Sequence, residues 1–518
     1  MCDMTPVIDL HRIMKEAFQA SRDALNKASD MIYDTGSNST HTVEKIGGTS
    51  MSQFEAVRKN IFMNPALNGQ YYQRIFVVSA YSGITNMLLE HKKSAQPGVY
   101  SLFSDAEEDA SWQEAFVTLR NRMTEINRSL FADAEQLRMA DSFILQRLDD
   151  AENVLKDVQN LCRHGHFSLA DYLQTVREML ASLGEMHSAS NTVQLLRLQD
   201  INAVFVDLSG WKIDVHLPLD EHIQRAFNNI DLETQLPIVT GYSHCDGGLM
   251  EIFDRGYSEM IFSRIAVLTG AKEAVIHKEY HLSSADPRVV GVDKAVPIGR
   301  TNYDVADQLA NLGMEAIHPR AAKGLRQNNI HLRVKNTFEP EHRGTLITRD
   351  YVSKSPCVEI IAGRKGVFAI ELFDQDMVGD LPRYEKAFLE QITRFKGQIV
   401  NKDLNANTIT HFLATNIKTV KRIQSSLQEC FPGAEINVRK VCIVSAIGSD
   451  IKISGMLAKT VSALADAKVP VLALHQSMRQ VDIQFYLEES DYTTAIQRLH
   501  SDLVEAHNHG RAIKLPEA

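Results

Sequence analysis

The chain has 518 residues, 44% of them hydrophobic and 23% charged, with a formal net charge of −10. This is ordinary globular usage with room for about three to four domains, and it excludes a disordered, collagen-like or disulfide-built protein. The acidic balance supplies no positive field for nucleic acid or an anionic membrane, and no local basic patch stands out, so neither partner is expected.

Residues 1–40 lack the apolar core of a presequence and mix Asp3, Asp9 and Glu16 with Arg12 and Lys15. Their spacing predicts an amphipathic helix through about Ile32, closed by the turn-rich run 34–40, which makes this stretch an N-terminal helical extension. Cys2, Cys162, Cys245, Cys357, Cys430 and Cys442 form no CxxC pair, so neither a zinc cluster nor a disulfide framework is implied and a reducing cytoplasm is expected. No apolar run approaches the roughly 20 residues of a membrane span.

From His41 the texture changes to short apolar strands followed by small residues: 43–46 before Gly47-Gly48-Thr49-Ser50, and 75–78 before Ser79-Ala80-Tyr81-Ser82-Gly83. Residues from about 104 to 200 read as helical, with Trp112, Phe116, Leu119, Met123, Ile126 and Leu130 on one stripe and Leu173, Val176, Leu180 and Leu183 on another, all as core packing. Strands are predicted at 203–206, 236–240, 274–276 and 332–334, alternating with helices at 259–269, 303–312 and 319–327. The rhythm is α/β: a doubly wound, mostly parallel sheet within a first domain over 41–350.

A second texture follows and occurs twice. Strand 367–373, helix 381–395, strands 398–400 and 408–413 and helix 419–430 are echoed by strand 439–445, helix 455–467, strands 471–474 and 481–487 and helix 491–506. These read as two ferredoxin-like α+β units, 351–435 and 436–518, suited to ligand sensing or subunit pairing.

Among the motifs, Lys45-Ile46-Gly47-Gly48-Thr49-Ser50 sits between a strand and a helix, where backbone N–H groups and a lysine can cradle an anion. It lacks Walker A spacing, and alone it reads equally as a structural turn. The loop Ser79 to Asn86 offers hydroxyls and amides after another strand. Arg255-Gly256-Tyr257-Ser258-Glu259 gathers a guanidinium, a hydroxyl and a carboxylate at a helix start, as a carboxylate or phosphate clamp or as a salt bridge with a cap. In Ser284-Ala285-Asp286-Pro287-Arg288 the proline fixes a turn that can present Arg288 to an anion. No GxGxxG opens a βαβ unit, so a dehydrogenase is excluded.

Taken in this order, the set resembles the aspartokinases of the amino acid kinase family. It comprises Val43-Glu44-Lys45-Ile46-Gly47-Gly48-Thr49-Ser50, Val77-Val78-Ser79-Ala80-Tyr81-Ser82-Gly83-Ile84-Thr85-Asn86, Gly184-Glu185, Arg255 to Glu259, Ala285-Asp286-Pro287-Arg288-Val289-Val290 and Ile317-His318-Pro319-Arg320-Ala321. The likeness runs from about His41 to the C-terminus, includes paired ACT-type repeats, and is strongest to the variant associated with ectoine synthesis. It implies transfer of the γ-phosphoryl of MgATP to the side-chain carboxylate of L-aspartate, with ATP and Mg²⁺ required, a homodimer formed through the ACT domains and a possible amino-acid effector.

By the same resemblance, Lys45 neutralises the transferring phosphoryl, helped by the Gly47 and Gly48 amides and the Thr49 and Ser50 hydroxyls. Ser79 and Thr85 line the substrate site, Glu185 receives the α-ammonium, and Arg255 clamps a carboxylate with Ser258 beside it. Glu259 holds Mg²⁺-bound water, orients Lys45 or packs; His277, Lys278, Asp286 and Arg288 join Lys45 and Gly48 on the nucleotide side, and no protein metal site is implied.

The departures are specific. The family's Arg-Gly-Gly-Ser-Asp is Arg255-Gly256-Tyr257-Ser258-Glu259, its Thr-Asp is His277-Lys278, its nearby tyrosine gives way to Ser283-Ser284, and a usual lysine is Glu315. Lys278 either replaces the charge missing at 315 near the phosphates, while Arg288 keeps its role, or is simply solvated. Where lysine-sensing relatives carry an Asp and Thr-Ser-Glu, this chain has Lys402 and Asn405-Ala406-Asn407-Thr408, which disfavours a cationic effector and predicts weak or absent lysine feedback. The alternatives are an amino acid kinase for another carboxylate and a regulatory subunit that has lost catalysis.

Overall fold

Apolar, β-branched runs without polar alternation form strands buried on both faces, and here they build the sheet that holds the site. The computed structural model describes residues 40–91, 94, 96–105, 111–211, 217–253, 256–314 and 316–506. The helix expected before residue 34 lies outside the described residues, and the chain from His41 onward forms one unit.

The first sheet contains β1 (Thr42–Ile46), β2 (Arg74–Val78), β3 (Ala203–Val206), β4 (Leu236–Thr240), β5 (Glu273–Lys278), β6 (Arg300–Asn302), β7 (His331–Asn336) and β8 (Thr345–Thr348). Its order is β3-β4-β2-β1-β5-β7-β8-β6, parallel except for the β7–β8 pair. The chain leaves β1 toward β2, β3 and β4, then returns to the other side of β1 at β5. Loops at the C-terminal ends of β1, β2, β4 and β5 therefore meet at a topological switch point, where open parallel sheets bind ligands.

The long helical stretch is three helices, Ser111–Leu130, Ala134–Cys162 and Ala170–Arg197. The last is buried on nearly every side from Leu180 to Val193, so it runs through the core and carries Glu185 inward. No helix among the described residues is long and apolar enough to cross a membrane.

The second sheet contains β9 (Ile360–Phe373), β10 (Ile399–Leu404), β11 (Thr408–Leu413), β12 (Glu435–Ile447), β13 (Ala473–Gln476) and β14 (Asp482–Leu487). It is antiparallel throughout, in the order β10-β11-β9-β12-β14-β13. The two ferredoxin-like repeats are thus fused through their long central strands: the C-terminal half of β9 pairs with the start of β12, and the N-terminal half with its end. The sheet curls, since Asn401 on β10 donates to the Tyr486 hydroxyl on β14 at 2.7 Å, and Phe412 stacks on Tyr486 at 3.8 Å between centroids.

Three apolar cores result. One fills the first sheet and its helices, one lies under the Leu381–Arg394 and Ile417–Cys430 helices, and the third joins the second repeat to Leu282, Val290, Val305 and Leu309 of the first lobe.

Candidate active site

Alternation along β1 sends Lys45 and Glu44 to opposite faces of the sheet, and their surroundings differ accordingly. Lys45 is almost wholly buried, with Nζ 3.5 Å from Glu259 Oε1. Glu259 lies in the first turn of the Tyr257–Leu268 helix, and its other oxygen accepts the His318 backbone N–H at 2.5 Å. Burial opposes ionisation of Glu259, but the charges of Lys45 and Lys278, together with the His318 N–H, outweigh it and hold the carboxyl below its usual range. Glu259 is therefore kept an anion by the charges of two lysines, one from β1 and one from the end of β5.

Two glycines let the surrounding loops converge. A Cβ on Gly48 would lie 2.5 Å from the Ala80 carbonyl oxygen, so only glycine lets the loop after β1 touch the loop after β2. At Gly241, after β4, a Cβ would stand 2.7 Å from the Val78 carbonyl oxygen, 3.0 Å from Ser258 Cβ and 3.3 Å from Glu185 Cγ. Glu185, Ser258 and the end of β2 thus crowd around one small residue.

Glu185 is buried, and Tyr257 donates its hydroxyl to Glu185 Oε1 at 3.0 Å. The second oxygen, Oε2, is buried without a hydrogen-bond partner. Burial pushes the Glu185 carboxyl up to about 7, while Tyr257, the backbone of Glu185 and Ala80, and the Lys45 charge all pull the other way. Lys45 and two carboxyl groups, Glu259 and Glu185, are thus buried close together, with one oxygen of Glu185 unsatisfied.

The remaining residues singled out by the sequence divide. Gly47 donates to the His277 carbonyl at 3.4 Å, Ser79 to the Ile46 carbonyl at 3.2 Å, and Thr85 lies in the Ile84–Leu88 helix that opens beyond Gly83. Thr49 is exposed, whereas the buried Ser50 hydroxyl lies 3.0 Å from that of Thr337. The His277 imidazole is on the Glu44 face, with Nε2 2.7 Å from Glu44, which Arg74 also binds at 2.7 Å. That places its ring away from Lys45. Asp286 caps the Pro287–Val290 turn and pairs with Arg288 at 2.8 Å, the Arg288 side chain being 89% exposed. Arg255 and Glu315 lie outside the described residues.

The Tyr257 bond to Glu185, the His318 N–H on Glu259 and the packing of Gly241 were not assigned from sequence. Gly241 follows a strand as Gly47 does, which is a usable signal; the other two join segments 72 and 59 residues apart and have no local signature. Among the described residues no group of three or more His, Cys, Asp or Glu could hold a metal ion.

Comparison with known proteins agrees with this architecture. A model of the amino acid kinase family matches residues 41–336, and an ACT domain model matches 444–503. Aspartate kinase Ask_Ect of Stutzerimonas stutzeri (strain A1501) is 55% identical over 473 residues, covering 91% of this chain and 99% of that relative. Aspartokinase 1, chloroplastic, of Arabidopsis thaliana is 23% identical over 97% of this chain and 88% of its own. Among solved structures, E. coli aspartokinase III in complex with aspartate and ADP superposes with a TM-score of 0.66 at 20% identity, covering 90% of this chain and 100% of that one. The same enzyme with lysine and aspartate gives 0.67 at 19% identity, over 90% and 99% of the two chains. These two likenesses are of fold.

Proposed function

The chain belongs to the amino acid kinase family, and from that premise we propose how its site works as an aspartate kinase. The reaction transfers the γ-phosphoryl of MgATP to the side-chain carboxylate of L-aspartate, giving 4-phospho-L-aspartate and ADP. A carboxylate oxygen forms the new bond to phosphorus as the bond to the bridging oxygen of ADP breaks, and that electron pair leaves with ADP. The aspartate carboxylate is already ionised at neutral pH, so no general base is needed; positioning and charge neutralisation supply the catalysis.

The observation that carries this reading is the placement of Lys45, which stands 3.5 Å from Glu259 and whose charge also acts on Glu185. Lys45 neutralises the transferring phosphoryl, with the Gly47 and Gly48 amides beside it, and Glu259 orients Lys45. Glu185 receives the substrate's α-ammonium, Arg255 its α-carboxylate, and Ser258, Ser79 and Thr85 complete the amino-acid side. Mg²⁺ enters with the nucleotide. The ectoine-associated subtype is supported by the motif set and is in keeping with the 55% identity to Ask_Ect. Self-association through the C-terminal sheet belongs to the same reading. So does weak lysine feedback: Lys402 on β10 stands where lysine-sensing relatives carry an acid, and it already pairs with the Glu385 carboxylate.

Hydroxylamine trapping of the acyl phosphate tests the assignment. Hydroxamate should form with ATP, Mg²⁺ and L-aspartate, disappear in Lys45→Ala, fail with glutamate and persist in millimolar lysine. Folded protein that gives no hydroxamate with aspartate would overturn it.

A further inference from the structure

Burying a carboxylate next to a tyrosine costs the tyrosine its freedom, and a chain that spends a bulky ring in a crowded site needs a reason for it. The family pattern resembled here has glycine at this position, which cannot make the contact seen. Tyr257 and Glu185 are each only 3% exposed, and the hydroxyl donates to Oε1 at 3.0 Å. The ring is held from behind by the edge of Tyr242, 5.7 Å away at 78°, whose own hydroxyl donates to Glu178 at 2.6 Å. The tyrosine is therefore fixed before substrate arrives.

The other half of Glu185 is the informative part. Oε2 is buried and accepts no hydrogen bond, a costly condition for a carboxylate unless a ligand completes it. A cationic group small enough to reach a fully buried oxygen is what the geometry lacks. We propose that Tyr257 is a positioning residue for the amino-acid substrate: its hydroxyl occupies Oε1 of Glu185 and so reserves Oε2 for the substrate's α-ammonium. The inference rests on the aspartate kinase reading and on the role that reading gives Glu185.

Fixing one oxygen has a second effect. A hydrogen bond donated to a carboxylate favours its charged form, and only the charged form pairs with an ammonium. The side chains that act most strongly on Glu185 are Tyr257, from the Tyr257–Leu268 helix, and Lys45, from β1; Ala80 contributes through its backbone. Burial leaves the Glu185 carboxyl at about 7, so a proton competes with substrate near neutrality, and losing the Tyr257 donor strengthens that competition.

The test is the pH dependence of KM for aspartate in the wild type, Tyr257→Phe, Glu185→Gln and the double variant. In Tyr257→Phe the acid limb of KM should move up by about one pH unit, raising KM roughly fivefold at pH 7 and approaching tenfold on the acid side. The gap should narrow at pH 8.5, while kcat and KM for ATP stay within about twofold of wild type. With Gln at 185 the limb should be absent, and Tyr257→Phe should add no pH-dependent change. Superimposable limbs in wild type and Tyr257→Phe, or an equal KM increase in the Glu185→Gln background, would overturn the proposal. An inactive wild type would overturn the kinase reading and this inference with it.

Discussion

His500 Nε2 lies 2.9 Å from the Ser284 hydroxyl, tying the Tyr492–His500 helix of the second repeat to the turn that carries Asp286 and Arg288. Both side chains are fully buried, and the other imidazole nitrogen faces Glu505 Oε1 at 3.0 Å. Gln497 of the same helix donates to the Val289 carbonyl at 2.8 Å, so the turn follows the helix at two points.

Removing that imidazole should therefore register in the catalytic lobe. His500→Ala leaves a buried cavity and one fewer partner for Ser284, a loss of about 1–3 kcal/mol. The apparent Tm should fall, and KM for ATP should rise severalfold while KM for aspartate stays near wild type. Thermal unfolding and paired KM measurements check this; a lower Tm with unchanged KM for ATP would make the contact purely structural.

Acid stability should be governed by the far face of β1. Burial raises the Glu44 carboxyl, but Arg74 and His277 outweigh it and hold it well below its ordinary value of 4.5. His277 is lowered from 6.5, chiefly by burial, with the Glu44 contact opposing. Both folded values are depressed. The His277 contribution is thus present above about 6.5 and that of Glu44 above about 4.5, each being lost as pH falls toward the folded value. Arg74→Met strands a buried carboxylate and should cost about 3–5 kcal/mol at pH 7. In denaturant titrations the gap to wild type should shrink as pH falls through the variant's own folded Glu44 value, which burial raises once Arg74 is gone, because a proton then relieves the stranded charge while the wild-type carboxyl stays ionised.

Much of this architecture could be read in advance, for reasons that differ by element. The strands 203–206 and 236–240 were legible because each is a short apolar run closed by polar or turn residues. The helix Ala170–Arg197 showed its stripe only near its start; farther on it is buried all round, so Ser188, Ser190, Asn191 and Thr192 carry no amphipathic signal. The strand β9 was expected from Val367 but begins at Ile360, because Gly363-Arg364-Lys365-Gly366 interrupts the apolar pattern where β9 and β12 change register. In the site, Lys45, Glu185 and Glu259 were legible as motif members. That Tyr257 would reach Glu185 was not, because only the packing of two helices sets that distance.

The charge exchange on the nucleotide side gives the sharpest remaining test. The lysine usual at 315 is an acid here, and a new lysine stands at 278, at the C-terminal end of β5 beside β1. Its charge contributes to holding Glu259 ionised, which puts it in the electrostatic field of the Lys45–Glu259 pair. Under the proposed function, in which Lys45 neutralises the transferring phosphoryl, a cation there would contact the ATP phosphates. Lys278→Ala should raise KM for ATP about tenfold, the loss of one charge-assisted hydrogen bond of roughly 1.5 kcal/mol. Lys278→Arg should recover most of it, and KM for aspartate should change less than about twofold in either. Because Glu259 would lose one of its two lysines, Lys278→Ala should also lower kcat modestly, and adding Glu259→Gln should not multiply that effect. An ATP affinity unchanged in Lys278→Ala would show that the lysine gained at 278 does not compensate for the one missing at 315.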